Sequence, residues 1–174
     1  VVLGSSWALY WTLLGAHVEP SSARFAPQIA PTGGKLAPSP AKMTILMPKA
    51  EASKVGVEIL KKGGNAFDAM IATDLALAVV YPNAGNLGGG GFMVYRLNNG
   101  DNGSLDFREK APIASTKNMF LDTNNDIIKG ASLVGGLSVG VPGTVAGLFE
   151  VHKKFGTLPM SELIQPPIDL AKNG

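Results

Sequence analysis

The sequence predicts a mixed α/β (α+β) fold, with helices gathered around one central β-hairpin, and three stretches predict it. Residues 52–60 repeat apolar side chains at helical spacing, and residues 66–80 are apolar around most of a helical circumference. Residues 92–108 read as two short strands joined by a polar turn.

In the first helix Ala52, Val55, Gly56, Ile59 and Leu60 fall at i, i+3, i+4, i+7 and i+8, which makes one apolar stripe. Lys61 and Lys62 suit the negative end of its dipole, and Gly63-Gly64 stops it. Asn65 caps a second helix, Ala66 to Val80, with Asp68 near its positive end and Asp74 as the only charge in its body. A helix so apolar belongs inside a larger fold, and Pro82 ends it.

The hairpin lies within Asn83–Pro112. Gly88 to Gly91, four glycines in a row, exceed what a turn needs and imply that another group packs very close. Phe92 to Leu97 reads as a buried strand, Asn98 to Gly103 as its turn and Ser104 to Arg108 as the returning strand. With a period of two, Asp106 and Arg108 face one side, Leu105 and Phe107 the other.

Beyond the hairpin, Ala111 to Met119 is expected to be irregular with one turn of helix, and Asp122 to Lys129 polar and turn-like. A second glycine-rich passage, Gly135 to Gly143, leads into a helix from Thr144 to Phe155. Its Val145, Leu148, Phe149 and His152 are expected to share a face, and Gly156 closes it. A last helix is expected to begin near Pro166 and run to Lys172.

At the other end, Trp7 to Leu14 is an apolar run too short to span a bilayer. It reads as the hydrophobic part of a truncated export signal or anchor over residues 1–19, with an ordinary buried helix as the alternative. Residues 20–42 are rich in Pro, Ala and Ser and read as a linker, and 43–174 as an incomplete domain. The start at Val1 points to a fragment.

Composition excludes several chemistries. The 174 residues carry a formal charge of +2 with 16% charged side chains, so no basic footprint for nucleic acid exists. With no cysteine there is no disulfide, thiol nucleophile or thiolate metal site, and His17 and His152 are too far apart to suggest zinc.

Four constellations carry candidate chemistry. Asp122, Asn124 and Asp126 resemble the opening of a calcium loop, but Ile127 stands where glycine is needed and Leu133 where a bidentate glutamate is needed, so a solvated turn is the better reading. The glycine run fits neither phosphate-binding pattern. Gly136-Leu-Ser138-Val-Gly140 matches a nucleophile elbow in letters, yet no histidine follows Asp169 to complete a triad. Arg108, between Asp106 and Glu109, is either one half of a structural ion pair or a grip for a substrate carboxylate.

Several ordered blocks resemble the gamma-glutamyltranspeptidase family: VGVEILKKGGNAFDAMIATDLALAVVYPNAGNLGGGGFMVYR, LDFREKAP, NMFLD, VGVPGTVAGL and KKFGTLPMSELIQPPIDLAKNG. The segment MTILMPK and Lys110 depart modestly from the family's pattern. The resemblance implies the N-terminal part of the large subunit of an N-terminal-nucleophile (Ntn) hydrolase, an αββα sandwich cut autocatalytically from one precursor. It implies transfer of the gamma-glutamyl group of glutathione and related amides to water, amino acids or peptides, with no cofactor. The nucleophilic threonine would lie in the small subunit, so no catalytic residue is expected here, Thr144 is expected only to cap a helix, and the fragment alone is expected to be inactive. Arg108 matches the family's ligand for the gamma-glutamyl alpha-carboxylate, with Asp106 and Glu109 orienting it. The alternative is a non-catalytic paralogue that binds gamma-glutamyl or amino-acid ligands. Export to the periplasm, the cell exterior or an outward-facing anchored state is the expected localisation.

Overall fold

In a computed structural model of the chain, the structure describes residues 48–174, together with Ile45 and the backbone of Arg24–Phe25. The apolar run at Trp7–Leu14 and most of the Pro/Ala/Ser-rich stretch lie outside the described residues. Among the described residues no helix is long and apolar enough to cross a membrane.

Among the described residues four helices follow in order: α1 (Ala50–Lys61), α2 (Ala66–Val80), α3 (Thr144–Phe155) and α4 (Met160–Asn173). Strands β1 (Arg24–Phe25), β2 (Phe92–Arg96) and β3 (Asn102–Asp106) form an antiparallel sheet in the order β1-β3-β2. The sequence predicts no strand at β1; its backbone pairs Arg24 with Asp106 and Phe25 with Leu105. One face of the hairpin supplies Met93 and Leu105 to the core, where they join Ile59, Ile71, Leu148 and Leu163 from the helices. The other face leaves Phe92 65% and Val94 84% exposed, so the helices cover only one side of this sheet.

The α1–α2 connection is locally encoded. The Gly63 amide donates to the Leu60 carbonyl and the Gly64 amide to Ile59, which satisfies two carbonyls at the end of α1, and Gly63 takes a φ of 94° to permit it. Asn65 then caps α2: its Oδ1 accepts from the amides of Phe67 and Asp68, while Asp68 accepts from the Asn65 amide. The predicted stripe of α1 is the one buried, through Ala52, Val55, Gly56 and Ile59. Gly56 lets α2 come close: a methyl there would meet Thr73 Oγ1 at 2.3 Å and Ile45 Cδ1 at 2.5 Å.

Asp68 does more than cap. Its side chain is fully buried, and it also accepts from the amides of Thr157 and Leu158 and from the Thr157 hydroxyl. Asn65 Nδ2 donates to the Phe155 carbonyl at 2.6 Å. Two side chains at the start of α2 thereby hold the α3–α4 turn. Burial pushes the Asp68 carboxyl up, but the Thr157 hydroxyl and the Asn65, Thr157 and Leu158 amides outweigh it and bring its pKa below the ordinary 3.8.

Three expectations are corrected. The strands turn at 97–101, closed by the Leu97 amide on the Asp101 carbonyl at 2.7 Å and by Gly100 at φ 93°, so β3 begins at Asn102 rather than Ser104. α3 buries Thr144, Gly147, Leu148 and Val151, while Val145 and Phe149 stay exposed. The stripe is rotated because Gly147, which adds nothing to an apolar count, admits the Phe107 ring. α4 starts at Met160, not near Pro166, and contains both Pro166 and Pro167. Its apolar spacing of Leu163, Pro167 and Leu170 sets the element, and the burial of Leu163 and Pro167 favours the helix against the loss of two backbone donors at Pro166 and Pro167.

Two stability outcomes follow. Asp68→Ala leaves buried donors unmet and should lower unfolding stability by about 2–4 kcal/mol at neutral pH, read from denaturant midpoints. Because the folded pKa is depressed, the charge-dependent part of this contribution is fully present above pH 3.8 and is lost as pH falls through the depressed value, so the gap between variant and parent should narrow in acid. Gly56→Ala should cost about 1–3 kcal/mol in the same assay by forcing α1 away from Thr73.

Candidate functional site

The ladder of β2 and β3 continues past its strands: Phe107 donates to the Gly91 carbonyl at 3.0 Å and accepts from the Gly91 amide. This carries the glycine run alongside Phe107, Arg108 and Glu109. A methyl on Gly90 would lie 2.7 Å from the Phe107 carbonyl oxygen and 2.8 Å from Arg108 Cα. The second glycine-rich passage closes the other side. A methyl on Gly143 would lie 1.9 Å from the same Phe107 oxygen, and the Gly143 and Thr144 amides both donate to the Gly89 carbonyl, at 2.9 and 3.1 Å. Lys110 and Val141 complete the clamp by exchanging backbone hydrogen bonds. Of the four consecutive glycines, Gly90 and Gly91 make the close approaches to Phe107–Glu109, whereas Gly88 and Gly89 crowd no backbone beyond Asn86.

The clamp presents Arg108 on an exposed strand end while Phe107, one residue earlier, is buried against Gly91 and Gly147. The alternation expected of the returning strand therefore holds through Arg108. The ion pair, one of the two readings of Arg108, does not form among the described residues. Asp106 uses Oδ1 to accept the Arg108 backbone amide at 3.0 Å, and among the described residues no carboxylate lies within ion-pair distance of the guanidinium. The guanidinium carbon sits instead 5.7 Å from the centroid of the Phe92 ring. Among the described residues no carboxylate engages the Arg108 N–H donors. Nothing in the spacing of the sequence ties Phe92 to Arg108; the link needs the hairpin register, in which Phe92 stands opposite Asp106.

The other candidates are used up structurally. Asp122 Oδ1 accepts the amides of Asn124 and Asp126, at 2.8 and 2.9 Å, and Asn125 takes a φ of 66°, which makes a self-contained turn. Ser138 lies in a single 3₁₀ turn with its hydroxyl on the Gly135 carbonyl, with no strand before it. His152 contacts the Leu158 carbonyl through Nε2 at 2.7 Å. Thr144 is the first residue inside α3 and is buried; Gly143 takes the cap position instead, without a side-chain bond. Burial raises the carboxyl of Asp74 above its ordinary range. A cleft of about 470 Å³ between α1 and α4, edged by Glu51, Lys54, Glu58 and Asp169, shares no residue with the clamp. Among the described residues no three His, Cys, Asp or Glu side chains group as a metal site.

Helices on one face of an antiparallel sheet make an α/β fragment, and its likeness to solved gamma-glutamyltranspeptidase structures places it in the Ntn-hydrolase fold. The family model for gamma-glutamyltranspeptidase matches residues 52–174, and the chain belongs to that family. It is 59% identical over 123 residues to a glutathione hydrolase proenzyme of Pseudomonas sp. (strain A14), covering 71% of this chain and 21% of that protein. With the glutathione hydrolase proenzyme of Escherichia coli (strain K12) it shares 50% identity over 125 residues, 72% of this chain and 22% of the other. The crystal structure of Helicobacter pylori gamma-glutamyltranspeptidase superposes with a TM-score of 0.71 at 52% identity, over 78% of this chain and 40% of that one. The chain spans about a fifth of the length of these proenzyme relatives.

The clamp makes a sharp contrast between glycines. Gly143→Ala should displace the Phe107 carbonyl and cost about 2 kcal/mol or more, whereas Gly136→Ala, with nothing within 4 Å, should stay within about 0.5 kcal/mol of the parent in thermal unfolding.

Proposed function

We propose that this chain is part of an enzyme that takes the gamma-glutamyl group from glutathione and related amides and passes it to water, an amino acid or a peptide. Membership of the family and relatives named as glutathione hydrolase proenzymes support this reading. In it the gamma-carbonyl is attacked by a threonine of the small subunit cut from the same precursor, whose own amine takes the hydroxyl proton. The amide bond breaks, the amine leaves with a proton, and the resulting ester is opened by water or an acceptor amine. The described chain supplies binding, not attack. The Trp7–Leu14 run supports export as part of the same proposal.

The observation that carries the site is Arg108: an exposed guanidinium with no carboxylate partner among the described residues, held at a clamped strand end. Its planar pair of donors fits the alpha-carboxylate of a gamma-glutamyl donor.

In the full-length processed protein, Arg108→Ala should raise KM for glutathione by about ten- to a hundredfold while precursor cleavage persists, since one charged hydrogen-bonding partner is lost. Arg108→Lys should recover little, because a point charge cannot donate in a fork. An unchanged KM would overturn the assignment. A full-length protein that neither matures nor cleaves a gamma-glutamyl anilide would favour a binding paralogue.

A further inference from the structure

We infer that Phe92 is a positioning residue for Arg108, and this rests on the reading of Arg108 as the carboxylate ligand. The observations are geometric. Phe92 opens β2, directly after the glycine run, and its register partner is Asp106, two residues before the arginine. This places the ring on the sheet face that the helices leave bare, where it is 65% exposed and 5.7 Å from the guanidinium carbon. Met93 beside it takes the position buried against the helices, so Phe92 lies outside the helical core.

The chemistry explains why a ring suits the position better than an acid. A carboxylate paired with Arg108 would occupy the N–H donors that the ligand needs and would repel an incoming carboxylate. An aromatic ring within about 6 Å attracts the cation through its quadrupole and uses none of those donors. Phe92 restrains the long arginine side chain without competing for it. Asp106 contacts the arginine through its backbone instead, its Oδ1 accepting the Arg108 amide. Arg108 is thereby fixed at both ends, its backbone by Asp106 and its guanidinium by Phe92.

The test uses the full-length processed enzyme with a chromogenic gamma-glutamyl anilide as donor. Phe92→Leu, which keeps an apolar side chain and removes the ring, should raise KM roughly two- to fivefold with kcat unchanged, the range expected of an exposed cation–π contact. Phe92→Tyr and Phe92→Trp should restore KM. Replacement of Phe92 by mono-, di- and trifluorinated phenylalanine, which weakens the quadrupole at nearly constant shape, should raise KM in steps and decides the matter if the leucine variant fails to mature. In an Arg108→Ala background the same substitutions should have no further effect. A flat fluorine series, with Arg108→Ala still raising KM, would overturn the role of Phe92 alone. An Arg108→Ala enzyme with unchanged KM would overturn the carboxylate reading and this inference together.

Discussion

The helical layer depends on one buried carboxylate. Asp68 closes the capping box at the start of α2 and also receives the amides of the turn between α3 and α4. Asn65 adds the Phe155 carbonyl from its other side. Elements far apart in sequence are thus tied to one helix N-terminus, where backbone amides and the helix dipole both favour negative charge. The aromatic cluster of Phe67, Tyr95 and Phe155 packs beside this junction, with Phe67 and Phe155 stacked at 4.2 Å and Tyr95 edge-on to both. It brings β2 to the same place. Polar and aromatic contacts therefore converge where the sheet meets the helices.

From that junction the construction of the site is a matter of space. Phe107 is buried between glycines of three segments, Gly91, Gly143 and Gly147, and its carbonyl leaves no room for a methyl on Gly143. Phe107 fixed inward means Arg108 fixed outward, since successive residues of extended chain point to opposite faces. The two glycine-rich passages, separate in sequence, act as the two jaws of one clamp on the strand end.

Much of the fold is legible in the sequence where its causes are local. The stripe of α1, the glycine stop, the Asn65 cap and the proline end of α2 each rest on residues within a turn or two of one another. The hairpin is legible to within two residues at its turn. α4 is read late because Pro166 looks like a helix start when considered alone, whereas the burial of Leu163 and Pro167 draws the helix back to Met160. The face of α3 is misread at Gly147, whose contribution is the absence of a side chain rather than its presence. Arg108 is legible as a candidate, and the role proposed for it comes from the family resemblance. Its setting is not legible: a guanidinium flanked by Asp106 and Glu109 reads as an ion pair, and only the register across the hairpin reveals Phe92 as its neighbour.

The connection between α1 and α2 has a kinetic consequence. The stop signal of one helix and the start signal of the next are contiguous, Gly63, Gly64 and Asn65, and their hydrogen bonds span only a few residues. Closing such a short loop costs little chain entropy, so this helical pair can assemble before the long-range pairing of β1 with β3 is possible. Asp68 belongs to that early unit yet has bonds waiting for Thr157 and Leu158. The carboxylate that closes the first turn of α2 thus also joins this local unit to a turn 89–90 residues further along the chain.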